Sequence, residues 1–421
     1  MDDSFPKGFY FGASTSSHQV EGGNNNNWTE WEKMNAARLA HESKKYKRLP
    51  SWQFIKTEAK NPENYISGIA ADHWNRFEED FALAKELGIN AYRFSIEWSR
   101  VEPEKGKFDV ETLDHYRAMI SAMREHELEP FLTVWHWTLP IWLAEEGGAL
   151  SKDFPKYIAR YAGKLAQEFG RDVKFWITLN EPEIFTRNSY LFGIWPPQKD
   201  NPFAYFKVLK NLVRAHREMH RAIRAGAENA SIGFSTNPTY FESAGSKWDN
   251  WLTAKAKYYW NDWFLNRVSN DLDFIGMNYY FHSRINFIPN RNLNEKVSDM
   301  GWELYPRSLG KILVEFAHHG KPIYITESGL ADMNDVNRGW FIRESLTAVK
   351  SVIKKGVDVR GYFHWSLLDN FEWDKGFWPK FGLIEIDRKT LKRIPRPSAE
   401  IYKSLITDST NASGVSRNKS L

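Results

Sequence analysis

Two glutamates offer the clearest chemistry in this sequence. Glu181 follows the stretch Phe175-Trp176-Ile177-Thr178-Leu179-Asn180 and precedes Pro182, while Glu327 follows Pro322-Ile323-Tyr324-Ile325-Thr326 and precedes Ser328-Gly329. Both stretches are aromatic and β-branched, the composition of a short buried strand. A carboxylate at the mouth of such a strand is badly solvated unless a cleft, a partner or a reaction holds it. Pro182 has no N–H to continue a ladder, and it restricts Glu181 to extended or turn geometry. Two carboxyls delivered from strand ends suit the cleavage of a glycosidic bond. One protonates the leaving oxygen, and the other stabilises or traps the developing positive charge.

The elements that would position this pair repeat along the chain. Strands are expected at 8–13, 89–95, 130–135, 175–180, 231–235, 273–277, 322–325 and 359–363, with helical segments between them. Trp74, Phe77, Phe81, Ala84 and Leu87 recur at helical spacing and stop at Gly88. Leu113, Tyr116, Ile120 and Met123 mark a second helix, and a third runs from Pro155, a favoured first-turn residue, to Gly170. Strand-then-helix order implies parallel strands with crossovers, and eight units make an α/β fold consisting of a single (β/α)8 TIM barrel. The barrel is expected to occupy residues 1–403, with 404–421 a polar, disordered tail. Reactive groups of this fold sit at the C-terminal strand ends. Polar or aromatic residues stand there in this chain: Gln19 after the first strand, Arg93 on the second, His136 and Trp137 after the third, Asn180 and Glu181 after the fourth. Asn278 and Tyr280 follow the sixth, Glu327 the seventh and Trp365 the eighth.

Composition removes several other classes. The net charge is +4 over 421 residues, so the run Lys44, Lys45, Lys47, Arg48 reads as a solvated loop and no nucleic-acid partner is expected. Asn24 to Asn27 reads as loop as well. No apolar run approaches the roughly 18 residues of a membrane span. Cysteine is absent, which suits a reducing compartment, and the acidic N-terminus carries no apolar leader, so a cytoplasmic protein is expected. His216 and His220 share a helix face, but no acidic residue completes a metal motif, and packing is the favoured reading. Phosphate-cradling, dinucleotide and nucleophile-elbow motifs are all missing. Two carboxylates complete a hydrolysis unaided, so neither a cofactor nor a metal is expected. Of the 19 tryptophans, most should pack the core and a few should offer ring faces to the apolar C–H face of a sugar.

Four motifs, in order, carry a resemblance. They are Thr-Leu-Asn-Glu-Pro at 178–182, Asp-Phe-Ile-Gly-Met-Asn-Tyr-Tyr at 273–280, Ile-Thr-Glu-Ser-Gly at 325–329, and Trp365-Ser366-Leu367-Leu368-Asp369-Asn370-Phe371-Glu372-Trp373. From Phe9 to Tyr402 the chain closely resembles glycoside hydrolase family 1, the β-glucosidase family. That resemblance implies Glu181 as general acid/base and Glu327 as nucleophile of a retaining double displacement, with carboxyls about 5 to 5.5 Å apart. It puts Arg93 and Tyr280 beside Glu327, favouring its anion. Gln19, His136, Asn180, Glu372 and Trp373 would grip the non-reducing sugar, with Asn180 on its 2-hydroxyl. Trp137 and Asn278 join this substrate-binding set, Trp365 floors it and Phe381 lines its far edge. Glu372-Trp373 stands where phospho-sugar members carry a phosphate-binding Ser and Lys arrangement, which implies a non-phosphorylated glycone. The expected partners are small-molecule β-glycosides or oligosaccharides, β-glucosides first, hydrolysed by a monomer or homo-oligomer with transfer to acceptors also open. β-Galactosidase, β-mannosidase and a non-catalytic sugar-binding barrel are the alternatives. Ser328 departs from the usual Asn and Trp340 from the usual Tyr, and neither is a reacting group.

Overall fold

The computed structural model describes residues 4–415. Its centre is a closed parallel barrel of eight strands: β1 (Tyr10–Ser14), β2 (Ala91–Ser95), β3 (Glu129–Trp135), β4 (Phe175–Asn180), β5 (Ser231–Thr236), β6 (Phe274–Tyr279), β7 (Ile323–Ser328) and β8 (Val359–Trp365), with β8 returning to β1. Each overlaps a segment expected from the sequence. Helices cover the outside: α1 (His73–Glu86), α2 (Val110–Glu125), α3 (Phe154–Phe169), α4 (Pro202–Gly226), α5 (Ser308–Phe316), α6 (Arg338–Ile353) and α7 (Pro397–Val415). α3 shows how the pattern works: Pro155 sits in its first turn, Gly170 follows its end, and Ile158, Tyr161, Ala162, Leu165 and Phe169 form its buried stripe.

Rings from six strands plug the barrel interior: Tyr10, Phe131, Phe175, Phe274, Tyr324 and Phe363. Phe131 and Phe175 stack with centroids 4.2 Å apart. On β5 the plug needs Gly233, because a Cβ there would lie 2.6 Å from the Phe274 ring. The filled interior closes the barrel as a pore, and the catalytic end of this fold is its C-terminal mouth. Two short parallel strands, Thr239–Ser243 and Phe281–Ile285, rise above β5 and β6 and wall one side of that mouth.

Three local expectations need correction. The tail expected from residue 404 is helical as far as Val415, in α7, and residues 416–421 lie outside the described residues. The missed signal is the stripe Ala399, Tyr402 and Ile406, all buried, with the Tyr402 hydroxyl donating to the Gly12 carbonyl at 2.9 Å. The asparagine run ends in a helix start, since Asn26 Oδ1 accepts from the amides of Trp28 at 2.9 Å and Thr29 at 3.1 Å. The basic run is exposed, but Ser43–Arg48 is a 3-10 helix rather than a loop.

Candidate active site

A cavity of about 540 Å³ opens at the C-terminal mouth of the barrel. Eleven of the thirteen residues proposed from the sequence line it: Gln19, His136, Trp137, Asn180, Glu181, Tyr280, Glu327, Trp365, Glu372, Trp373 and Phe381. Arg93 and Asn278 do not. Both are fully buried behind the lining, where Arg93 reaches Glu327 and Asn180, and Asn278 reaches Glu181 and Asn180.

β7 delivers Glu327, whose two oxygens have different partners. Arg93 on β2 forms an ion pair with Oε1, and the Tyr280 hydroxyl donates to Oε2 at 2.8 Å. The guanidinium is itself fixed, donating to Asn180 Oδ1 at 2.6 Å and to Thr133 Oγ1 at 3.1 Å. Burial pushes the Glu327 pKa up, and the Arg93 charge together with the Arg93 and Tyr280 hydrogen bonds pulls it back. Tyr280 is itself held well above the usual phenol range by burial and by the Glu327 charge, so it remains a donor.

Glu181 is placed by an abrupt turn at the end of β4. Its N–H still pairs with the Ser235 carbonyl at 2.8 Å, yet its φ of 43° is left-handed. The turn geometry expected before Pro182 therefore takes a left-handed form, and the chain swings into the short helix Pro182–Thr186. Trp137 and Trp373 also have left-handed φ values, 80° and 48°, so backbone strain collects around this cavity. Asn237 and Asn278 both donate to Glu181 Oε1, at 2.9 and 2.7 Å. Asn278 is aimed by Thr326, which donates to its Oδ1 at 2.7 Å. Among the described residues no cation contacts this carboxyl, and burial followed by the Glu327 charge pushes its pKa well above the usual carboxylate range. The two glutamates thus differ in kind. Burial and the Glu327 charge favour the protonated form of Glu181, and Glu327 has a cation and a phenol favouring its anion.

The hydrogen bonds around Asn180 fix the state of His136. Asn180 Oδ1 accepts from Arg93 and, at 3.0 Å, from Asn278, so its Nδ2 must donate to His136 Nε2 at 3.1 Å. The ring proton therefore sits on Nδ1, which is buried without a partner. Burial and then Arg93 hold the His136 pKa well below its usual value, so the ring is a neutral donor facing the cavity. His136→Phe should lower kcat/KM by about 10- to 100-fold, in line with the ~1–3 kcal/mol lost when a buried polar partner is left without its hydrogen bond. Steady-state kinetics at neutral pH check it.

Gln19 is clamped on the opposite side of the mouth. Its amide donates to Asn370 Oδ1 at 3.0 Å and to the Phe371 carbonyl at 2.9 Å, and reaches Glu372 Oε2 at 3.5 Å. Burial lifts the Glu372 pKa to about 8, against the pull of Lys375. Trp373 stacks on His18, with centroids 5.5 Å apart, and packs on Trp137 at 4.8 Å. Trp365 and Phe381 share a cluster with Ala331 at the cavity wall. Gly329, two residues past Glu327, approaches β8 so closely that a Cβ would lie 1.9 Å from the Trp365 carbonyl oxygen. Gly329→Ala must displace β7 or Trp365. It should cut turnover at least 10-fold, with a lower melting temperature, measured on the same preparation.

Some lining residues escaped the sequence reading. Asn237 follows β5 directly and precedes Pro238, the same strand-end pattern that exposed Glu181, but the expected strand stopped at 235. Arg187, Trp195, Trp260 and Trp302 sit on connecting segments with no periodic signal. His216, by contrast, packs as expected: its ring bonds to Thr178 Oγ1 at 2.7 Å and to the Asp271 carbonyl at 3.0 Å. Among the described residues no helix is long and apolar enough to cross a membrane.

Comparison with known proteins agrees with this geometry. The model of glycosyl hydrolase family 1 matches residues 1–270 and 265–411. A 1,4-beta-D-glucan glucohydrolase of Thermotoga neapolitana is 32% identical, over 96% of this chain and 98% of that protein. A β-glycosidase from Pyrococcus horikoshii superposes with a TM-score of 0.85 at 34% identity, covering 97% of this chain and 96% of that one. A β-glucosidase from Thermotoga maritima, solved in complex with glucoimidazole, gives 0.84 at 28% identity, covering 97% and 99%. The chain belongs to glycosyl hydrolase family 1 and is a glycoside hydrolase of that retaining family.

Proposed function

We propose that this enzyme is a β-glucosidase in which Glu327 is the nucleophile and Glu181 the general acid/base. The observation carrying the assignment is the asymmetry of the pair: Arg93 and Tyr280 serve Glu327, while Glu181 meets only amides and apolar burial. Glu327 attacks the anomeric carbon as the bond to the leaving oxygen breaks, and Glu181 gives that oxygen its proton. The glycosyl ester removes the charge from Glu327. The pKa of Glu181 then falls, and it takes a proton from the water that attacks the ester. An alcohol or sugar in place of water gives transfer.

His136, Asn180, Gln19 and Glu372 hold the glycone, with Trp365 and Trp373 supplying ring surface. Relatives named β-glucosidase favour glucose at this site. A 6-phosphate is disfavoured because Lys375, the cation whose charge acts on Glu372, is committed to Asp374. Absence of cysteine suits a cytoplasmic setting. Release of nitrophenol from β-glucoside, β-galactoside, β-mannoside and 6-phospho-β-glucoside tests the reading. Glucoside should lead, and the phosphorylated substrate should remain intact. Faster release from galactoside or mannoside would reassign the glycone, and four intact substrates with folded protein would leave a sugar-binding barrel.

A further inference from the structure

The cavity extends well beyond the sugar-holding residues. Gln19 and Glu372 follow β1 and β8, whereas the segments after β4, β5 and β6 wall the opposite side of the mouth. That side mixes polar groups such as Asn188, Asn237 and His282 with a set of apolar side chains, Ile184, Trp195, Phe241, Trp260, Phe281 and Trp302. One cation stands among them. Arg187 is half-buried, and its guanidinium lies 4.9 Å from the Trp260 ring centroid and 5.4 Å from that of Phe192. Its Nε is buried without a hydrogen-bond partner. Burial lowers its pKa, and its only charge partner of note is the Tyr205 phenol, with no carboxylate contributing.

The other basic side chains near it in the cavity lining have acidic partners. Lys375 pairs with Asp374, and His282 lies between Glu303 and Glu242. Among the described residues Arg187 is therefore the cavity cation without an acidic partner. A guanidinium removed from water needs an anion, and its planar fork matches a carboxylate in two parallel hydrogen bonds. Arg187 and Glu181 line the same cavity, so a leaving group departing beside Glu181 can reach the guanidinium.

We propose that Arg187 selects β-glycosides whose leaving group is an aryl carboxylate, the ring lying on the aromatic wall and the carboxylate on the guanidinium. An aryl group can lay its ring on the Trp260, Trp302, Phe241 and Phe281 surfaces of that wall while its carboxylate meets the guanidinium. This inference rests on the β-glucosidase reading. It concerns the leaving-group side alone.

The test compares 3- and 4-carboxyphenyl β-glucosides with the matching carbamoylphenyl β-glucosides, neutral and nearly equal in shape, by glucose release. The wild type should favour a carboxylate over its amide by at least 10-fold in kcat/KM, and the preference should shrink with added salt. In Arg187→Met the ratio should fall close to one, while Arg187→Lys should keep a reduced preference that remains salt-sensitive. A wild-type ratio near one, or a ratio that survives in Arg187→Met, overturns the assignment of Arg187 even where all the glucosides are hydrolysed and the β-glucosidase reading stands. Failure to release glucose from any of them, by folded wild-type protein, overturns both.

Discussion

Glu327→Gln is expected to abolish turnover of every β-glucoside the wild type accepts, by about three orders of magnitude or more, equivalent to about 4 kcal/mol of barrier. The amide keeps the volume of the side chain, its carbonyl oxygen can still accept from Arg93 and its N–H can donate to the Tyr280 hydroxyl oxygen, so folding should survive. What it loses is the nucleophile: a neutral amide forms no stable glycosyl ester, and hydrolysis must proceed without the covalent intermediate. A second readout separates this from general damage. The Glu327 charge is, after burial, the main influence raising the Glu181 pKa. Removing a neighbouring negative charge favours ionisation, so Glu181 should titrate lower in the variant, as followed by carboxyl infrared or carbon NMR. A 2-fluoro glucoside with a good leaving group should label wild-type Glu327, seen by peptide mass, and leave the variant unlabelled. A variant that keeps its rate would remove Glu327 from the role of nucleophile.

The reach of the sequence ended where local signals end. β4 and β7 were legible because aromatic and β-branched runs stop at a Glu, and that punctuation located both carboxylates within an element whose type was never in doubt. The closed barrel was legible from alternation alone, since every strand is followed by a helical stripe. What the one-dimensional pattern lacks is depth. Asn278 and Glu327 are register partners across β6 and β7, but only the folded barrel tells that the Asn amide turns toward Glu181 and Asn180 and away from the cavity. The left-handed φ of Glu181 arises from competition between the last β4–β5 hydrogen bond and the start of the next helix, which no propensity records. The aromatic wall and Arg187 were illegible for a related reason: they lie on the connections that leave the barrel strands, where neighbours in space are distant in sequence. α7 failed differently. Its polar composition outweighed a three-residue stripe that was present to be read.

Glu181→Gln should give a loss that depends on the leaving group, and this dependence makes it the more discriminating of the two substitutions. An alkyl or simple sugar aglycone departs only as it gains a proton, so kcat/KM should fall by about 100- to 10,000-fold, the usual range for general acid catalysis. A dinitrophenolate departs as a stable anion and needs no proton. Its release in the first step should therefore remain near the wild-type rate, after which the glycosyl ester at Glu327 accumulates because no base activates water. A burst of dinitrophenol followed by slow turnover is the expected trace, and a small anionic nucleophile such as azide should speed the second phase. The pH profile must change with it. Wild-type activity on the alkyl substrate is lost as pH rises through the raised pKa of Glu181, and lost as pH falls through that of Glu327. In Glu181→Gln the burst phase should keep the acidic limb and lose the alkaline one, because the group titrating there is gone. Equal losses with both leaving groups, or an alkaline limb that persists in the burst, would move the acid/base role away from Glu181.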